Sequence, residues 1–297
     1  MPGIFSPFFY FKTYVEFLFK RAGLKEIFFE NDEYKIQFWD SEESQKPPLI
    51  LLPAFAAETK YSWYKQVVKL SKSFRVITPN LVYFGKSTKH QKSYTIQDQV
   101  DAVTLLMNHL KLERTSIIGT SYGGAIAAEF ALQNTGRIEK MILVNGPIKF
   151  IEDSEVQNLI KEHGAKDKLE LLVPYDHKHL YKLFKIAYHK VPPIPRFVFR
   201  DIHKNLYVAG AEEKRKLIRQ SDEELEKLRT REYKFDFPVL LIWGEKDRLA
   251  PLSIGQKLKE HMGDVAELQT IENAAHMPNY EKPRLYTRLV LDFLNSK

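Results

Sequence analysis

Cysteine is missing altogether from the 297 residues. That excludes disulfides, thiolate metal sites and cysteine nucleophiles, and it leaves the compartment open, because reducing and oxidising locations both tolerate it. Runs of five like charges are missing too. The 45 basic and 38 acidic side chains are dispersed, so the formal charge of +7 implies no more than a mild pull toward anionic surfaces. With no zinc finger or comparable motif, a nucleic-acid partner is not indicated. Nowhere does the chain hold the ~20 uncharged apolar residues of a membrane-spanning helix. Internal repeats and low-complexity tracts are absent as well. What is present, 44% hydrophobic and 28% charged residues, belongs to a globular chain long enough for one large domain with an insertion.

The N-terminus, "MPGIFSPFFYFKTYVEFLFKRAGL", is rich in aromatic residues. No basic residue precedes its apolar part and no small-residue cleavage site follows, so a signal peptide is not expected. A cytoplasmic location is expected instead, with peripheral membrane contact through this segment left open. Lys12, Glu16 and Lys20 stand four apart, on one helical face, with Phe11, Val15, Leu18 and Phe19 elsewhere on the cylinder. Residues 1–24 therefore read as an amphipathic helix with two uses: lying in a lipid interface, or packing on its own domain.

Beyond it, "EIFFE" and "YKIQFWD" read as a hairpin. Strand and helix signals then alternate: "LILL", the helical "WYKQVVKLSKS", "FRVITPN", the helix "TIQDQVDAVTLLMNHLKL", "TSIIG", "AIAAEFALQN" and "IEKMILVN". Such alternation predicts an α/β fold, a doubly wound, mostly parallel sheet with helices on both faces. The rhythm stops for about ninety residues and resumes at "PVLLIWG", "VAELQTIE" and "RLYTRLVLDFLNS". A parallel crossover needs only a dozen or so residues. The domain plan is thus a core of 25–146 and 236–297 with a helical cap of 147–235.

Between strand "TSIIG" and helix "AIAAEFAL" stands "GTSYGG". A serine in that setting must sit on a sharp turn with its hydroxyl at the carboxyl edge of the sheet, and Gly119 and Gly123 keep side chains from colliding with the neighbouring strand and helix. The alternative for such a stretch is a glycine-rich packing turn. A serine hydroxyl needs a base, and the base an orienting acid. Asp247, three residues after "LLIWG", is the candidate acid, with Glu245 as a rival. His276, after the last strand, is the candidate base. The chain order Ser, Asp, His is the one expected after a nucleophile elbow. Oxyanion donors are expected from the backbone N–H of Tyr122 and of Phe55, the latter in the loop after "LILL". His177 and His179 form an H-x-H pair with no third ligand at sensible spacing, so no metal or other cofactor is expected.

With these residues in view, the chain from about 25 to 296 resembles the α/β-hydrolase fold family, and within it the monoacylglycerol lipase-like serine esterases. The likeness rests on "GTSYGG", "LLIWGEKDRLAP", "NAAHMPNYEKPRLYTRLVLDFL" and the cap stretch "KVPPIPRFVFRDI". It implies Ser121 as nucleophile, Asp247 as acid, His276 as base, the amides of Phe55 and Tyr122 as oxyanion hole, and a small-molecule ester with one long acyl chain as substrate. Two places depart from the family pattern. Pro53 and Ala54 replace its His-Gly before the oxyanion phenylalanine. "NLVYFGKS" retains only Gly85 and Ser87 of D-x-P-G-x-G-x-S, with Val82 and Tyr83 in place of proline and glycine. Two other functions stay open: carbon–carbon bond hydrolysis of ring-cleavage diketones, and ligand binding without turnover on a hydrolase scaffold.

Overall fold

The computed structural model describes residues 6–55 and 58–296, of 221 and 222 the backbone only. Nine strands form its sheet: β1 (Lys25–Glu30), β2 (Tyr34–Asp40), β3 (Pro48–Leu52), β4 (Arg75–Pro79), β5 (Thr88–Lys89), β6 (Thr115–Thr120), β7 (Ile138–Val144), β8 (Val239–Gly244) and β9 (Ala266–Ile271). Their order is β1-β2-β4-β3-β6-β7-β8-β9, with β5 paired to β2. The pairs β1–β2, β2–β4 and β2–β5 are antiparallel and every other pair is parallel. Asn31 closes the predicted hairpin, its Oδ1 accepting from the amides of Glu33 and Tyr34.

Helices cover both faces, which is why β3, β6 and β8 read as continuous apolar runs. The strand period of two divides them cleanly. On β8, Val239, Leu241 and Trp243 point to one core, with the helices Ile96–His109, Tyr122–Gln133 and Leu252–Met262. Leu240 and Ile242 point to the other, with the N-terminal helix Pro7–Arg21 and the final helix Pro283–Asn295. Burying one such side chain fully stabilises the fold by about 1.5–3 kcal/mol. The helical stretch expected at "WYKQVVKLSKS", residues 63–73, holds only the last residue of one short helix, Thr59–Trp63, and the whole of a second, Val67–Leu70. They bury Trp63, Val67 and Leu70, so tertiary packing overrides the local periodicity.

After β3 the chain moves outward to β4, then crosses back to β6 on the other side of β3. The reversal leaves a crevice at the carboxyl ends of β3 and β6, the place where open α/β sheets bind ligands. Between β7 and β8 the insertion is helical, from Asp153–Glu162 to Ala211–Thr230. The N-terminal helix is docked from both sides: Phe8, Val15 and Phe19 are buried, and Asp201 of the insertion accepts from Ser6 Oγ and the Phe8 amide. Its outward face shows Tyr10, Tyr14 and Phe17, 59%, 54% and 55% exposed. No helix among the described residues is long and apolar enough to cross a membrane.

Candidate active site

Ser121 follows β6 directly and caps the helix Tyr122–Gln133, with φ +53° and ψ −115°. A non-glycine residue there is strained, and only a packed surrounding holds it. The glycines permit that packing. A Cβ on Gly119 would lie 2.2 Å from the Gly123 carbonyl oxygen, and one on Gly123 would lie 2.5 Å from that of Pro53 and 2.7 Å from that of Leu52. The loop after β3 thus presses directly on the elbow. Phe55, in that loop, meets Tyr122 edge to face at 5.7 Å. Among the described residues, neither the Phe55 nor the Tyr122 amide donates a hydrogen bond. Ala56 and Ala57 lie outside the described residues.

His276 stands beside the serine, its Nε2 2.8 Å from Ser121 Oγ and its Nδ1 2.7 Å from Asp247 Oδ2. Both His276 and Asp247 are buried. An ionised carboxylate only accepts, so Nδ1 carries the proton and Nε2 accepts from the serine hydroxyl. Asp247 is itself held from two sides: Oδ1 accepts from the amides of Leu249 (2.8 Å) and Ala250 (3.0 Å), and Oδ2 also accepts from the side-chain amide of Asn145. The rival, Glu245, pairs with Lys246 and accepts from the Asn273 amide; the ammonium beside it holds its carboxyl below the usual range. It does not meet His276. In the insertion, His179 lies between Asp176 and Glu170, 2.8 Å from each.

Three further residues at this edge are not among the candidates read from the sequence. Asn145, directly after β7, has φ +50° and ties Asp247 to the Ala275 carbonyl, 3.3 Å away. Asn80, after β4, accepts from the Thr59 amide at 2.7 Å and donates to Gln37 of β2 at 2.7 Å, tying the segment after β4 to the one after β3 and to β2. Glu281 accepts the Ala275 amide at 2.7 Å. Only Asn145's place at a strand end hints at a role.

Ser121 and His276 open onto a cavity of about 1030 Å³ between the sheet edge and the insertion. Its wall includes Phe11, Phe55, Phe184, Tyr188, Ile202 and Leu206. Its lysines, Lys65, Lys190 and Lys282, are all exposed.

Residues 47–283 match the family described as alpha/beta hydrolase fold. The chain belongs to that family. It is 23% identical to monoacylglycerol lipase ABHD6 of Homo sapiens over 93% of this chain and 84% of that one. It is also 22% identical to 2-hydroxy-6-oxo-2,4-heptadienoate hydrolase of Pseudomonas putida, over 78% of this chain and 83% of that one. Among solved structures, a membrane phospholipase A described as a bacterial virulence factor superposes with a TM-score of 0.83 at 22% identity, over 97% of this chain and 91% of that one. This α/β-hydrolase therefore shares its fold and most of its length with a monoacylglycerol lipase, a phospholipase and a 2-hydroxy-6-oxo-2,4-heptadienoate hydrolase.

Proposed function

We propose that this α/β-hydrolase is a serine esterase that cleaves carboxylic esters with one long acyl chain, monoacylglycerols or lysophospholipid-like molecules. One observation carries the reading: the unbroken hydrogen-bonded chain Ser121–His276–Asp247, whose serine end opens on a large, mainly apolar cavity. The name of the human relative and the phospholipase likeness support the substrate class.

In this reading His276 Nε2 removes the proton of Ser121 as Oγ attacks the ester carbonyl, and Asp247 stabilises the resulting imidazolium. The amides of Phe55 and Tyr122 receive the oxyanion. The tetrahedral adduct collapses, the C–O bond breaks, and the imidazolium protonates the departing alcohol. Water, deprotonated by His276, then splits the acyl-enzyme to the free acid. These steps use no cofactor. Residues 147–235 serve as the cap that shelters the acyl chain. The outward aromatic face of the N-terminal helix, a step from cavity-lining Phe8 and Phe11, rests on a lipid surface.

Purified protein tests this directly. A fluorophosphonate should label Ser121, and Ser121→Ala should lose the label and about 10⁴- to 10⁶-fold in kcat for a medium-chain ester while keeping its fold. Absence of labelling in the native protein would instead favour ligand binding without turnover. A Tyr10, Tyr14, Phe17→Ser variant should lose liposome co-sedimentation yet still hydrolyse short soluble esters. The Pseudomonas putida relative supports a second reading, carbon–carbon bond hydrolysis. The cavity favours the ester, since its lysines are exposed rather than set within it to hold a carboxylate.

A further inference from the structure

Glu281 ends the helical turn Pro278–Glu281, five residues after His276. Its carboxylate accepts three backbone N–H bonds from two distant parts of the chain. Oε2 accepts from Ala275 at 2.7 Å, and Oε1 accepts from His189 at 2.8 Å and Lys190 at 3.3 Å. Ala275 directly precedes the histidine. His189 and Lys190 lie in the linker between the insertion helices His177–Ala187 and Arg196–Ile202. That linker continues with Pro192, Pro193 and Pro195, which have no N–H to offer, so the amides of 189 and 190 are among the few that can anchor it. A carboxylate receiving several N–H groups forms shorter and stronger bonds than a neutral acceptor does.

The same two segments meet again next door. Tyr280 packs edge-on to Tyr188 at 6.4 Å and to Tyr64 at 5.7 Å, and its hydroxyl donates to the Tyr61 carbonyl. On its other side, the Ala275 peptide receives Asn145, which is rooted in the sheet. The backbone that carries His276 is therefore anchored in the core, by Asn145 on the Ala275 carbonyl and by the Lys246 amide on the Ala274 carbonyl, and through Glu281 in the insertion. Tyr188, His189, Lys190 and Glu281 all line the cavity that Ser121 faces. Whatever displaces the linker pulls on the histidine's backbone.

We infer that Glu281 is a positioning residue that couples the seating of the 188–190 linker over the cavity to the placement of His276. The catalytic meaning of this coupling rests on the serine-esterase reading; the mechanical coupling does not.

Two measurements on the full chain test it. Hydrogen exchange by mass spectrometry should show that Glu281→Ala speeds exchange by about tenfold or more in both 188–191 and 273–277. Glu281→Gln keeps the shape but turns an NH₂ either toward the Ala275 N–H or toward those of His189 and Lys190, so it should release one segment and keep the other protected. Kinetics on a short-chain ester, normalised to sites titrated by fluorophosphonate, should show kcat reduced about 10- to 100-fold in Glu281→Ala with KM within about threefold. A role limited to overall stability would lower the number of titratable sites and leave kcat per site unchanged. Exchange that rises in one segment only in Glu281→Ala, or in neither, overturns the coupling. A kcat per site within about twofold of the native value overturns the positioning role. Should the native protein neither label nor hydrolyse esters, the esterase reading falls while the exchange data still decide the coupling.

Discussion

The side-chain amide of Asn145 donates to Asp247 Oδ2, the same oxygen that accepts from His276 Nδ1. The carboxylate is thereby fixed by a neutral donor just past the end of β7 on one side and by the imidazole on the other. Asn145 is fully buried, and its Oδ1 accepts from the Gly244 amide at 3.3 Å, which also ties β7 to the end of β8. Asn145→Ala removes a donor to a buried charge, an interaction of about 1.5–3 kcal/mol. Ester turnover per titrated site should fall roughly 10- to 100-fold, with a lower unfolding midpoint. Kinetics indistinguishable from native would show that the two amides of Leu249 and Ala250 suffice to hold Asp247.

Gly123→Ala should be far more damaging than an ordinary helix substitution. Its Cβ would press on the carbonyls of Leu52 and Pro53, backbone atoms with no rotamer to adopt. The loop bearing Phe55 has to shift, and a displacement of about 1 Å at an active site can cost about 10²-fold in rate. Fluorophosphonate labelling should slow by about that factor while far-ultraviolet circular dichroism stays native. An unchanged labelling rate would mean that Phe55 takes no part in the oxyanion site.

Tyr83 holds φ +72° where the family pattern has glycine. Tyr83→Gly relieves about 1–2 kcal/mol of backbone strain. It also removes a buried ring that lies 4.8 Å from Tyr94 and donates from its hydroxyl to the Ser93 carbonyl at 2.7 Å. Deleting a buried aromatic costs about 3–5 kcal/mol, so the packing loss wins and the variant should be less stable by about 1–4 kcal/mol. Tyr83→Phe, which keeps the ring, should cost only about 0.5–1.5 kcal/mol. Urea denaturation of the three proteins decides the order.

Glu224 on the long insertion helix is buried and accepts the Ile96 amide at 2.5 Å. Burial, reinforced by Asp98 and Glu129, pushes its carboxyl up to about 7. A folded value above the unfolded one means that the folded state holds the proton more tightly. Its contribution is full below about pH 4.3 and fades as pH rises through 7. Glu224→Gln keeps an acceptor for Ile96 and cannot ionise. Between pH 5 and 8 the native protein should therefore lose stability relative to this variant, on the order of 1–3 kcal/mol, in parallel thermal melts. Parallel pH curves would show that the carboxyl titrates normally.

Much of the architecture was legible along the chain because its signals are local. Apolar runs such as "TSIIG" and "PVLLIWG" mark strands covered on both faces, and β6 and β8 are buried along their whole length. The elbow was legible for the same reason, since a serine between glycines at a strand-to-helix junction needs no distant partner to be noticed. The helical reading of "WYKQVVKLSKS" holds only for Val67–Leu70, because the packing of Trp63, Val67 and Leu70, not the periodicity, sets where the helices end.

The amino-acid order by itself determined the strand and helix succession and marked the short stretches holding Ser121, Asp247 and His276, which depend on neighbours within a few residues. Only the folded chain decided which face of the N-terminal helix is covered, because apolar residues stand on both sides of the row Lys12, Glu16 and Lys20, and only one of the two sides meets the domain. The folded chain alone also decided that Asn145 grips Asp247 and that Glu281 joins the histidine loop to the insertion. A lone asparagine or glutamate has no periodicity to read, and its meaning lies in partners about a hundred residues away that the sheet brings within 3 Å.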